Sequence, residues 1–201
     1  MEITLIIALV LAVFVGISLG LLGGGGAILT VPILTYIVGM EPREAIASSL
    51  FIVGVTSVVG MLRHATSGRV RWKTGITFGA ASMAGAFVGG ITGGYVPGVV
   101  LMILFALMMV VVATAMIRGR KNAVPSDGEE RQLRISLVLI YGLLIGFATG
   151  LVGAGGGFLI VPALSILGGL PMAVAVGTSL LVIVLNASAG FAGYLFSVSL
   201  N

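Results

Sequence analysis

Between Glu2 and Glu41 the chain carries no charged side chain, and inside that apolar stretch stand four consecutive glycines, Gly23–Gly26. A glycine weakens a helix interior by about 1 kcal/mol relative to alanine, so this cluster marks a break in a membrane-length segment. The break is made twice. Gly20–Pro32 reads G-L-L-G-G-G-G-A-I-L-T-V-P, and 130 residues later Gly150–Pro162 reads G-L-V-G-A-G-G-G-F-L-I-V-P. Gly20/Gly150, Leu21/Leu151, Gly23/Gly153, Gly25/Gly155, Gly26/Gly156, Leu29/Leu159, Val31/Val161 and Pro32/Pro162 are identical. The same offset continues through Ala45/Ala175, Ser49/Ser179, Leu50/Leu180 and Gly60/Gly190. A match without insertions over this length is a duplication.

Only 8% of the residues are charged and 59% are hydrophobic, with mean hydropathy +1.27. Soluble domains carry about 25% charge, so the chain is an integral membrane protein. About 20 apolar residues cross a hydrocarbon core as a helix, and the runs lack the alternation of barrel strands. The expected fold is therefore an all-α polytopic membrane protein with glycine-broken helices. Apolar segments fall at Ile3–Leu22, Ala27–Val38, Ala45–Leu62, Thr74–Gly94, Gly98–Ile117, Ile135–Val152, Phe158–Leu167 and Ala173–Phe196. Ile3–Leu22 reads as a retained helix rather than a signal peptide, because no basic residue precedes it. Ala27–Val38 is about 18 Å long as a helix, too short to span, and contains Pro32. Residues 1–117 form a first repeat, 118–134 a polar linker loop and 135–201 a second repeat. By the offset, the second repeat lacks counterparts of the last two helices of the first and is expected to be truncated.

Nine of the ten Lys/Arg lie in 63–73 and 118–134, and the two segments between put both loops on one side. The positive-inside rule makes that side cytoplasmic. The counterpart of the first loop, beyond Gly193, has no basic residue. That mismatch predicts inverted copies, each with five crossing or half-crossing elements, the alternative being four with a re-entrant hairpin.

The acids, Glu2, Glu41, Glu44, Asp127, Glu129 and Glu130, are terminal or in loops. A buried carboxylate proton relay or a carboxylate Na⁺ site is therefore not expected, a hydrolytic carboxylate pair and an acidic metal cluster are excluded, and without cysteine there is no thiolate site. We expect no enzyme, no catalytic or metal-binding residue, no cofactor and no nucleic-acid partner. The glycines do not form a phosphate loop, as no Gly-Lys-Ser/Thr follows. Candidate binding residues are Gly23, Gly24, Gly25 and Gly26 before one short segment, and Gly153, Gly155, Gly156 and Gly157 before the other. A helix starting at such a break presents its positive end to an anion. A hinge or close packing explains the glycines equally well at this level. Ser48, Ser49, Thr178 and Ser179 occupy matching places, with hydroxyls suited either to an oxyanion or to their own helix carbonyls. Thr56 aligns with Asn186, whose amide belongs against protein or water rather than lipid. Gly85, Gly89 and Gly93 share a helix face suited to close helix contact.

The doubled G-x-x-G-x-G-G-G/A-x-x-x-V-P element, the A-S-S-L and G-T-S-L that follow it, and the R-H-x-x-S-G-x-V-x-W loop resemble the TauE/SafE sulfite exporter family. Ser48 departs from the threonine more usual there. The resemblance implies a bacterial inner-membrane carrier of sulfite, sulfonates or related small anions. The implied partners are a small anionic substrate and membrane lipid, and a homo-oligomer is compatible with the sequence. A passive anion channel and a non-transporting membrane scaffold subunit are the alternative functions.

Overall fold

The computed structural model describes residues 10, 13, 15–17, 27–119, 135–153, 155–167 and 169–196. The first glycine cluster and most of the linker lie outside them. All the regular elements among the described residues are helices: α1 (Ala27–Pro32), α2 (Pro42–Thr66), α3 (Trp72–Tyr95), α4 (Gly98–Gly119), α5 (Ile135–Val152), α6 (Gly157–Pro162) and α7 (Met172–Leu195). Three of them, α2, α3 and α7, are long and apolar enough to cross a membrane.

Proline shapes the two short helices identically. Both α1 and α6 end on a proline and pass into a π-helical turn, Ile33–Ile37 and Ala163–Leu167. Proline lacks an N–H and crowds the preceding turn, and a wider turn relieves that crowding. Each turn then closes on the next element by the same bond: the Met40 N–H reaches the Leu34 carbonyl at 3.0 Å, and Leu170 reaches Leu164 at 3.3 Å. The duplication seen in the sequence thus extends to bond-level detail.

The long helices begin and end beyond their apolar cores. Pro42 opens α2 as a first-turn residue, where its missing N–H costs nothing. Arg63 and His64 extend the last turn of α2, and Trp72 and Lys73 begin α3. The expected loop 63–73 is accordingly reduced to residues 67–71. At the other end of this pair, Arg43 Nε donates to the Val96 carbonyl at 3.0 Å, tying the start of α2 to the end of α3.

α2 and α3 are consecutive, yet α7 packs between them and is the most buried of the three long helices. Against α2 it pairs Gly60 with Leu180, Gly54 with Ala187 and Leu50 with Gly190, so these two helices run antiparallel. Against α3 it is parallel, with Leu181 at Gly75, Leu185 at Gly79 and Gly193 near Gly90. α3 and α5 are also parallel and pack closely. A Cβ at Gly85, Gly89, Gly142, Gly146 or Gly150 would crowd a carbonyl of the facing helix. The face read from Gly85, Gly89 and Gly93 is therefore met by a second small-residue stripe, Gly142, Gly146 and Gly150, spaced four apart on α5. α4 turns Leu101, Phe105 and Val112 inward and leaves Val99, Ile103, Leu107 and Val110 exposed, as a lipid-facing helix should.

Candidate functional site

The α5–α6 break forms the centre. Gly153, Gly155 and Gly156 have φ of 74°, 61° and 80°, a left-handed conformation strained for any residue with a Cβ. Gly155 also has no room for one: a Cβ would stand 2.6 Å from Val53 Cγ1 and 3.5 Å from Ile183 Cγ2. Val53 and Ile183 lie near the midpoints of α2 and α7. The break therefore re-enters the middle of the molecule, and α6 leads back to the start of α7. That start lies at the end of the molecule marked by the 67–71 turn. There the Arg71 N–H donates to Thr178 Oγ1 at 3.0 Å and Gly177 abuts the Arg69 carbonyl.

The carbonyls freed where α5 ends are held by side chains from two other helices. Ser49 Oγ lies 2.6 Å from the Gly153 carbonyl and also within 2.8 Å of its own Ile46 carbonyl. Tyr194 donates to the Leu151 carbonyl at 2.7 Å. The Gly153 N–H is taken by the Thr149 carbonyl at 2.9 Å. On the far side, the N–H groups of Leu159 and Ile160 both reach the Gly156 carbonyl at 2.9 Å. The Gly157 and Phe158 amides stand at the positive start of the turn, and both residues are buried.

The structure brings only some of the predicted residues together. Gly153, Gly155, Gly156 and Gly157 are buried and together, and Ser49 joins them as the clasp on the break. Ser179 lies within reach of the Val176 carbonyl at 2.8 Å, Thr56 bonds Ile52 at 2.8 Å, Thr178 receives Arg71, and Ser48 is half-buried. Gly23, Gly24, Gly25 and Gly26 lie outside the described residues. Asn186 is 1% exposed, with Oδ1 accepting from Ser82 Oγ at 2.5 Å and Nδ2 unpartnered.

Sequence reading missed Ser82 and Ser57. Ser57 is fully buried and its hydroxyl has no partner. Its neighbour Thr56, and also Thr77, Thr92, Thr114, Thr149 and Ser188, all bond carbonyls three or four residues back in their own helix. Ser57 does not use that local partner. Thr30 Oγ1 on α1 is likewise buried and unpartnered. Ser57 follows Gly54 by one turn, and Asn186 adjoins Ala187. Both therefore lie within about one helical turn of the Gly54–Ala187 crossing. No charged residue occurs in 45–62, 74–117 or 135–201, so these neutral groups lie in an interior without ionised side chains.

No solved structure matches the chain. A probable membrane transporter protein of Xylella fastidiosa is 40% identical over 171 residues, covering 84% of this chain and 66% of its own length. One from Methanocaldococcus jannaschii is 30% identical over 97% of this chain and 75% of its own. YunE of Bacillus subtilis, also described as a probable membrane transporter protein, is 28% identical over 98% of this chain and 80% of its own. The chain thus spans about 66% of the length of the Xylella relative. Residues 8–201 match the sulfite exporter TauE/SafE family, and with the doubled glycine break and the relatives at this level of identity, the chain belongs to that family of membrane transporters.

Proposed function

We propose that the chain forms the core of a secondary transporter that carries a small anion, a sulfonate or related oxyanion, across a bacterial inner membrane by alternating access. The observation that carries this reading is the pair of unpartnered, buried donors, Ser57 and Asn186, beside a helix break in a charge-free interior. A buried polar group without a partner costs about 1–3 kcal/mol, a cost that a packed scaffold has no reason to keep. In hydrocarbon, irregular backbone is tolerated where it is buried in protein or lines a site, and secondary transporters place broken helices at their substrate sites.

Many alternating-access carriers are built from inverted repeats. The antiparallel run of α2 and α7, equivalents by the 130-residue offset, supports an inverted relation here. The basic residues around the 67–71 turn and in the linker support a cytoplasmic placement of that end by the positive-inside rule. The test is flux in proteoliposomes loaded with a sulfonate. Saturable uptake, abolished by Gly155→Leu, is expected. A non-saturating ohmic current indicates a channel instead, and absence of any anion flux or binding removes the reading altogether.

A further inference from the structure

Resting on the anion-carrier reading, we infer that the central site holds a singly charged oxyanion through neutral donors, the Ser57 hydroxyl and the Asn186 amide, with Ser82 as the residue that positions Asn186. The argument begins with the Asn186 side chain. An asparagine presents an acceptor at one end and two N–H donors at the other. The Ser82 hydroxyl occupies the Oδ1 end at 2.5 Å, which fixes the amide so that only Nδ2 is unengaged. What remains open at Asn186 is purely a donor, and its complement is an acceptor. The Ser57 hydroxyl, fully buried and without a partner, adds a second donor within about one helical turn of the same level. Gly155 brings the break to this level between Val53 and Ile183.

The charge of the ligand follows from what the interior lacks. No Lys, Arg or His lies in 74–117 or 135–201, and in α2 the basic residues stand only in its first and last turns. The desolvation cost of an ion rises with the square of its charge, so a dianion costs about four times as much as a monoanion of equal size to bring into such a medium. Hydrogen bonds from two neutral side chains offset the smaller cost but not the larger. The site therefore discriminates by charge rather than by shape: a monoanion enters and a dianion of equal size is rejected.

The test is equilibrium binding of methanesulfonate and of sulfate to the 201-residue chain in nanodiscs. The two probes share tetrahedral sulfur and differ in charge. Methanesulfonate binding at least about 10-fold tighter than sulfate is expected. Asn186→Asp, equal in size but without the N–H donors, lowers methanesulfonate affinity by about 10-fold or more. Ser57→Ala lowers it by about 5-fold and carries the test if Asn186→Asp does not fold. Ser82→Ala lowers the methanesulfonate-to-sulfate ratio while the chain stays monodisperse, and Ser82→Thr restores the ratio. Sulfate binding as tightly as methanesulfonate, or full affinity in both Asn186→Asp and Ser57→Ala, overturns this inference and leaves the anion-carrier reading standing. Binding of neither anion overturns both.

Discussion

Two serines on one helix show how differently the same side chain is used. Ser49 reaches across to the Gly153 carbonyl, whereas Ser57, two turns further along α2, has no partner. Ser49→Ala should leave the carbonyl at the break without its cross-helix donor and cost about 1–2 kcal/mol, seen as a lower Tm in detergent. Ser57→Ala removes a buried hydroxyl that nothing satisfies, and is expected to leave Tm unchanged or raise stability by up to about 1 kcal/mol. A loss for Ser57→Ala equal to that for Ser49→Ala would make Ser57 structural. Sequence alone ranks these serines by repeat equivalence, which favours Ser49 over Ser57 because position 187 is alanine. The distinction depends on which carbonyl lies across the helix pair, and no local pattern records that. Ser82 stayed hidden for the same reason: its meaning comes from Asn186, 104 residues away.

At the scale of elements, the hydrophobic and glycine patterns placed every described helix to within a few residues, because lipid demands long uninterrupted apolar runs. Pairings were less legible. Gly85, Gly89 and Gly93 announce a close helix contact but not its partner, and Gly142, Gly146 and Gly150 have the same spacing without naming theirs. The contact is between parallel helices separated by a long polar linker, so short-loop reasoning does not supply it. Its tightness makes a clear prediction. At Gly146 a Cβ would overlap the Ser82 carbonyl, whereas at Gly54 it would meet only the Ala187 methyl at 3.4 Å. Gly146→Ala must force α3 and α5 apart, and overpacking of this kind costs about 1–3 kcal/mol or more. Gly54→Ala is expected to stay within about 1 kcal/mol of wild type, an ordinary contact offset by the better helix propensity of alanine. Thermal unfolding of the two variants side by side checks the difference. Gly146→Ala should also weaken anion binding, since it displaces Ser82.

At the scale of the whole molecule, the charge mismatch between Arg63–Lys73 and the neutral residues after Gly193 pointed to inverted repeats, and two capping residues put this to a direct test. Glu41 and Pro171 are equivalent by the 130-residue offset. Each is the N-cap of its helix, with φ, ψ of −59°, 139° and −55°, 142°, and both are exposed. In parallel repeats they would emerge on the same face of the membrane. The packing argues otherwise. Glu41 adjoins the end of α2 that Arg43 ties to Val96, whereas Pro171 precedes the helix start that the Arg71 amide and the Arg69 carbonyl contact. Because the chain has no cysteine, single cysteines report position without background. A membrane-impermeant maleimide applied to intact cells is expected to label Glu41→Cys and to leave Ser67→Cys and Pro171→Cys unmodified, and inside-out vesicles should give the reverse pattern. Labelling of Glu41→Cys and Pro171→Cys from one side would place the repeats parallel. The antiparallel run of α2 and α7 would then have to arise within a parallel arrangement, and the inverted-repeat form of the proposed alternating access would fall, leaving only a rocking of parallel halves.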